Sequence, residues 1–296
     1  MRPLHLKTKI FLDGGDSNET KEIINLLGFL DGQTTNPTLI SKNPEAAKRL
    51  ELGQKFSQEE ILEFYKNVVE GISKLIPNGS ISIEVYADKK TSAKQMLKQG
   101  RKMFSWIPNA HIKYPTTKEG LKAAKQSVEE RMRVNITLCF SQEQAAAVYR
   151  ATCLKTAHKP SLSGFKNVFI SPFVGRLDDI GENGMSLIEN IIKMYKKGDG
   201  HVAVLAASVR SLNHFLYAIK LGSDIVTAPF KVLKEWGEKG LVMPDDNFVY
   251  ESQNLTPITY QEINLNKNWQ EYPIADELTD KGIQKFSDDW NALLQD

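Results

Sequence analysis

Chemistry in this chain centres on one lysine. Lys113 stands near the end of His111-Ile112-Lys113-Tyr114-Pro115, a run rich in β-branched and aromatic residues. Pro115 closes the run, because proline neither donates to a sheet ladder nor sits inside a helix. A helical pattern then opens at Thr116-Thr117-Lys118-Glu119-Gly120. A lysine at a strand end, just before a strand-to-helix turn, occupies the place where α/β enzymes hold their reactive groups. Its amine is also one of the few side-chain groups that form a Schiff base with a carbonyl substrate. The competing reading is an inert surface lysine whose stem lies on apolar neighbours. Nucleophilic attack needs the neutral amine, and a free lysine has a pKa of roughly 10.4. Burial and nearby arginine charge both push toward the neutral form, and a carboxylate within hydrogen-bond or one-water reach must then move protons.

The elements that would position such groups follow from pattern. Strand candidates end near Asp13, Thr34, Glu84, Lys113, Thr137, Ser171, Ala206 and Thr227, each followed by a helical pattern. Asp16 with Glu19 and Ser57 with Glu60 stand at capping-box spacing, the second pair opening a helix with Ile61, Phe64, Val68, Ile72 and Leu75 on one face. Residues 41–55 are polar, with helical patches that define no single element. Alternating strands and helices imply parallel pairing, and eight such units in about 240 residues point to α/β architecture of the (β/α)8 TIM-barrel type. A doubly wound open sheet is the alternative; it would carry G-x-G-x-x-G after the first strand, and Gly14-Gly15 does not supply it. Residues 1–250 read as the barrel. Residues 251–296 read as a C-terminal extension whose last helix, with Ile283, Phe286, Trp290 and Leu293 three or four apart, must pack on the barrel to bury its stripe.

Strand parity then sorts the side chains. Parallel strands usually read as continuous apolar runs. Here Ser80, Ser82 and Glu84 share one face of a strand and Ile81, Ile83 and Val85 the other. His111 pairs in this way with Lys113, Asn135 with Thr137, and Asn167 with Ser171. The apolar parity belongs under the helices, so the polar parity points into the barrel. That places Asp13, Glu84, Lys113, Asn135, Thr137 and Ser171 inside, near the C-terminal mouth. A structural plug of buried ion pairs is the competing reading, but such a core is rarely more stable than apolar packing. Arg176 and Arg210 follow the sixth and seventh strand ends on the same face, and an arginine pair there suits the oxygens of a phosphate monoester.

Composition narrows the classes. The chain has 296 residues, 41% apolar and 25% charged, with a net charge of +2. No basic footprint for nucleic acid and no polybasic arm for a membrane stands out, and no stretch has the length of a membrane span. The N-terminus lacks an apolar signal core, so a soluble cytoplasmic protein is expected. Cys139 and Cys153 lack metal or CxxC spacing and read as reduced thiols.

Six segments together resemble the transaldolase family. Asp31-Gly32-Gln33-Thr34-Thr35-Asn36-Pro37-Thr38-Leu39-Ile40 is similar to its D-G-x-T-T-N-P-S/T-L-I signature, and Ile112-Lys113-Tyr114-Pro115 with Glu119-Gly120 to its Schiff-base segment. Val134-Asn135-Ile136-Thr137-Leu138, Ser171-Pro172-Phe173-Val174-Gly175-Arg176, Ala206-Ala207-Ser208-Val209-Arg210 and Gly222-Ser223-Asp224-Ile225-Val226-Thr227 complete the set. The tail, Gly282-Ile283-Gln284-Lys285-Phe286 with Asp289, resembles the last helix of the longer members. Val209 stands where phenylalanine is more usual, and Gln33 where valine is.

The resemblance implies a (β/α)8 barrel using no metal or organic cofactor. It implies transfer of a dihydroxyacetone unit from sedoheptulose 7-phosphate or fructose 6-phosphate to glyceraldehyde 3-phosphate or erythrose 4-phosphate, in the non-oxidative pentose phosphate pathway. By the same resemblance Lys113 is the nucleophile, and Asp13 and Glu84 are acid/base residues, Glu84 acting with Thr137 through a water. Asn36, Asn135 and Ser171 hold substrate hydroxyls, and Arg176, Ser208 and Arg210 take the phosphate. Sugar phosphates are then the partners, with a homo-oligomer expected and a dimer favoured by the tail. Two other readings stay open: an aldolase releasing free dihydroxyacetone through the same imine, and a non-catalytic sugar-phosphate barrel. Phe173 bears on the first, since a tyrosine there could position water for free aldol cleavage and phenylalanine cannot.

Overall fold

The structure, a computed structural model, describes residues 2–252 and 254–295. Eight parallel strands close into a barrel: β1 (Lys9–Asp13), β2 (Gly32–Thr34), β3 (Ser80–Glu84), β4 (Ala110–Pro115), β5 (Val134–Cys139), β6 (Val168–Pro172), β7 (Val202–Ala206) and β8 (Ile225–Pro229). They lie side by side in chain order, and β8 closes onto β1 with Phe11 opposite Thr227. This is the (β/α)8 fold the alternation implied. The prolines that ended three of the runs are the last residues of β4, β6 and β8, where a missing N–H costs least.

Twelve helices accompany the strands among the described residues: α1 (Ser17–Leu27), α2 (Pro37–Ser41), α3 (Pro44–Glu51), α4 (Gln58–Leu75), α5 (Ala93–Phe104), α6 (Lys118–Glu129), α7 (Gln142–Thr152), α8 (Val174–Asp178), α9 (Gly184–Tyr195), α10 (Leu212–Lys220), α11 (Phe230–Glu238) and α12 (Glu277–Asn291). Ser57 and Glu60 form the reciprocal capping box at α4. At α1 the cap differs from the expected box. Asp16 accepts from the N–H of Asn18, two residues on, at 2.8 Å. The helical patches of 41–55 resolve into α3 and the end of α2. Both start on Asn-Pro: Asn36 and Asn43 accept from Leu39 and Glu45 N–H groups, and proline takes the first helical position.

Parity divides the strands as their residue types imply. A Cβ placed on Gly100 of α5 would touch Tyr114 and Ile112, so that face of β4 lies under the helices. The other face enters the barrel: His111 stacks on Phe169 at 4.0 Å between ring centroids, and Phe11 meets Phe169 edge-on.

The C-terminal segment closes over the C-terminal mouth. Thr279 Oγ1 donates to the Leu138 carbonyl at 2.9 Å, and Thr38 donates to Asp289. A Cβ on Gly282 would stand 2.5 Å from a Leu138 methyl, so α12 sits directly on the end of β5. There the β5–β6 register shifts between Ile136 and Cys139, and Leu138 takes a φ of 58°. Thr256 and Pro257 pair in parallel with Glu182 and Asn183, tying the irregular start of the extension to the turn before α9.

Candidate active site

Register brings the reactive groups together. Glu84 on β3 lies directly opposite Lys113 on β4, and Lys113 opposite Asn135 on β5. Lys113 Nζ is 2.8 Å from Glu84 Oε2, with both side chains 4% exposed. Lys113 Nζ also donates to the Thr35 carbonyl at 3.1 Å. Asp13, at the end of β1, accepts from Thr34 Oγ1 at 2.7 Å, and Thr34 meets Thr227 of β8. Burial raises the proton affinity of both acids. For Glu84 and for Asp13 desolvation is the largest cause, opposed by the Lys113 charge. Two acids flanking one amine, both held above the usual carboxylate range, are suited to accepting and returning protons.

Beside Lys113, Asn135 is fixed from both sides. Its Nδ2 donates to Ser82 Oγ at 3.0 Å, and its Oδ1 accepts from Ser171 Oγ at 2.7 Å. Thr137 stands one side-chain step further along β5. Its hydroxyl is buried without a hydrogen-bond partner among the described residues.

A cavity of about 210 Å³ opens above Lys113. Asp13, Asn36, Ser171, Phe173, Arg176 and Ser208 line it, along with Lys285 and Phe286 from α12. Of the residues singled out from sequence, those six and Lys113 reach the wall. Glu84 and Asn135 touch wall residues from outside it, through Lys113 and Ser171. Asn36 caps α2 through its oxygen and lines the cavity, and among the described residues its amide NH2 makes no hydrogen bond.

The two arginines part company. The Arg176 guanidinium lies 5.7 Å from the Phe173 ring centre and 5.5 Å from that of Phe286, and among the described residues no carboxylate comes within ion-pair distance. Burial holds its pKa below the ordinary arginine value, with the Glu84 charge opposing. A partly buried cation, oriented by two aromatic faces and facing a cavity, is an acceptor for an anion. Arg210 instead forks onto Asp179, with Nη2 to Oδ2 at 2.6 Å, and lies outside the cavity wall. Gly175 allows this crowding: a Cβ there would be 2.3 Å from Arg210 Nε, while its N–H bonds the Ser208 carbonyl at 3.0 Å. Ser208 itself takes a φ of 56°, strained for a residue with a side chain, at the wall of the cavity.

The family profile described as transaldolase/fructose-6-phosphate aldolase matches residues 10–296. The chain belongs to that family. A probable transaldolase of Dehalococcoides mccartyi is 38% identical over 227 residues, 77% of this chain and 89% of that one. One of Cereibacter sphaeroides is 36% identical over 252 residues, 83% of this chain and 98% of its own length. One of Brucella ovis is 39% identical over 226 residues, 76% of this chain and 87% of its own. Nearly all of the Cereibacter chain is thus matched while about a sixth of this one is left over.

Two features of this family member escaped the reading of residue types. Lys285 was visible only as part of a helical tail, and its place at the cavity depends on how α12 docks. Gln33, the departure from the signature, is fully buried: it donates to the Gly14 carbonyl at 2.9 Å and accepts from Thr20 at 2.7 Å. It ties the turn after β1 to α1 and takes no part in the cavity.

Proposed function

We propose that the chain transfers a dihydroxyacetone unit between sugar phosphates through a Schiff base on Lys113. The single observation that supports this most is the Lys113–Glu84 pair, 2.8 Å apart, buried, and open to the cavity on the lysine side. Glu84, with its raised proton affinity, accepts the proton that the amine must shed to attack the ketose carbonyl. The carbinolamine then loses water, its hydroxyl leaving with a proton from the same carboxyl. Thr137, whose hydroxyl has no hydrogen-bond partner among the described residues, orders a water between them. Asp13 takes the proton of the C4 hydroxyl as the C3–C4 bond breaks. The first aldose phosphate departs, and an enamine of dihydroxyacetone remains on Lys113. Asn135, Ser171 and Asn36 hold the hydroxyls of the bound unit. Addition to the acceptor aldehyde reverses these steps.

Arg176 and Ser208 take the phosphate, with Arg210 joining from its Asp179 pair. The donors that fit are sedoheptulose 7-phosphate and fructose 6-phosphate, and the acceptors glyceraldehyde 3-phosphate and erythrose 4-phosphate. These reactions belong to the non-oxidative pentose phosphate pathway. Phe173 at the cavity wall supports transfer over release of free dihydroxyacetone, because it brings no hydroxyl to position an attacking water. Among the described residues no helix is long and apolar enough to cross a membrane. We place the reaction in the cytoplasm.

Borohydride reduction in the presence of fructose 6-phosphate tests the covalent step. A dihydroxyacetone-derived adduct on Lys113 is expected; an unmodified Lys113 overturns the mechanism. An assay with and without erythrose 4-phosphate separates transfer, which needs the acceptor, from release of free dihydroxyacetone, which does not.

A further inference from the structure

We infer that Cys153, His158, Asp199 and His201 bind a divalent transition cation of the zinc class on the N-terminal rim of the barrel, at the end away from the cavity. Two loops supply them: the one after α7 brings Cys153 and His158, and the one before β7 brings Asp199 and His201. One ligand atom from each residue falls in a group whose members all lie within 4.8 Å of one another. His158 Nε2 is 3.4 Å and Cys153 Sγ 3.5 Å from Asp199 Oδ2, and His201 Nδ1 is 2.5 Å from Asp199 Oδ1. Tetrahedral zinc, with bonds of about 2.0–2.3 Å, sets ligand atoms roughly 3.3–3.8 Å apart. The His158 and Cys153 spacings fall in that range; the His201–Asp199 spacing is shorter, and Asp199, 32% exposed at its side chain on a loop, must turn to open it.

His201 closes the group from the interior. Its side chain is fully buried, with Nδ1 against Asp199 Oδ1 and Nε2 3.1 Å from Thr152 Oγ1. With a cation bound, Nδ1 is the ligand atom and Nε2 carries the hydrogen, which Thr152 Oγ1 accepts. The Cys153 thiol and the second imidazole, His158, converge on the same carboxylate. One thiolate, two imidazoles and one carboxylate make a donor set suited to zinc rather than to calcium or magnesium. The Thr152 bond to the far ring nitrogen is the outer contact that metal-bound histidines generally make. In sequence the pairs stand 41 residues or more apart, beyond any short ligand motif.

Bound there, the cation pins the irregular segment between α7 and β6 to the turn before β7. It takes no part in the chemistry at the mouth. Chelator-stripped protein titrated with zinc chloride against a chromophoric chelator tests the site. One equivalent per chain is expected, with affinity at least tenfold weaker in His201→Gln and in His158→Ala. Cobalt(II) should give tetrahedral d–d bands and a sulfur-to-metal charge-transfer band that Cys153→Ser removes. Zinc should raise the melting temperature of the wild-type chain and leave that of His201→Gln unmoved. Substoichiometric binding, or variants that bind as the wild type does, overturns the site; a cobalt spectrum without the sulfur band overturns the part given to Cys153. Circular dichroism of each variant separates loss of the site from loss of the fold.

Discussion

The two ends of the barrel interior are built from similar residues and come out differently. His111 and Lys113 lie on the same face of β4, one side-chain step apart. At the floor His111 has both ring nitrogens engaged, by Ser80 Oγ at 2.8 Å and the Lys166 carbonyl at 3.0 Å, and its face is covered by Phe169. Asn167 is likewise used up: its oxygen accepts from Ser161 and its amide donates to the Lys159 carbonyl at 2.7 Å. At the mouth the Thr137 hydroxyl has no partner among the described residues, Arg176 has no carboxylate, and two acids share one lysine. A buried polar group costs free energy unless its bonds are made. Floor groups have theirs made by the protein. At the mouth some stay unmade among the described residues.

Linkage to pH has opposite signs at the two ends. Burial drives His111 down to about 3, so the folded chain binds fewer protons there than the unfolded one. Its contribution is present above pH 6.5 and is lost as pH falls from 6.5 toward 3. Asp13 and Glu84 are raised, so the folded chain holds protons that the unfolded one has released. Their cost to stability appears as pH rises from the ordinary carboxylate value through the raised one.

The sharpest way to break the comparison is Lys113→Ala. Transfer should fall by on the order of 10⁴-fold or more, as when a covalent nucleophile is removed, with circular dichroism unchanged. A variant that still transfers at the wild-type rate would remove the mouth from the chemistry. Next, Glu84→Gln and Asp13→Asn should each lower kcat by about 10²–10⁴-fold, the range of a lost acid/base group, with a changed pH–rate profile. Arg176→Ala should raise KM for a phosphorylated ketose by roughly 10–150-fold, as when a charged hydrogen bond worth about 1.5–3 kcal/mol is lost. The same change at Arg210, already held by Asp179, should cost less; equal losses would show that both reach the phosphate.

Stability measurements invert the order of the two ends. His111→Ala leaves a cavity and a buried Ser80 hydroxyl, and urea unfolding at pH 8 should lose about 2–4 kcal/mol. The double variant Lys113→Met with Glu84→Gln removes a desolvated pair and should match or exceed the wild type, by up to about 4 kcal/mol. A strongly destabilised double variant would mean that the pair serves the fold. The smallest effect is in pH: between pH 4 and 6 the slope of stability should be shallower in His111→Gln than in the wild type.

Much of the barrel was legible along the chain because its signals are local. Residue types alternate with a period of two in β3 and three or four in α4, and Pro115, Pro172 and Pro229 mark strand ends. Residues 41–55 offered only helical patches, and the repeated Asn-Pro was the usable signal for where α2 and α3 begin. The site was legible in part for the same reason. Asp13, Glu84 and Lys113 are polar residues interrupting runs that parallel strands keep apolar, so parity alone turned them inward. Arg210 misled, because its carboxylate partner Asp179 lies in another βα connection and no local pattern links them. The place of Lys285 at the cavity was equally out of reach, since α12 arrives from the far end of the chain.

The sequence by itself determined the eight strand–helix units, the inward parity and the candidate reactive lysine, because backbone geometry ties each to spacing within one element. Only the tertiary structure decided which polar groups are left with unmade bonds. It set Glu84 opposite Lys113, left Arg176 between Phe173 and Phe286 with no carboxylate at ion-pair distance among the described residues while Arg210 was taken by Asp179, and brought Cys153 and His158 to Asp199 and His201. Each of these depends on strand register and loop docking between distant segments, where a distance of a few ångströms separates an ion pair from a free charge.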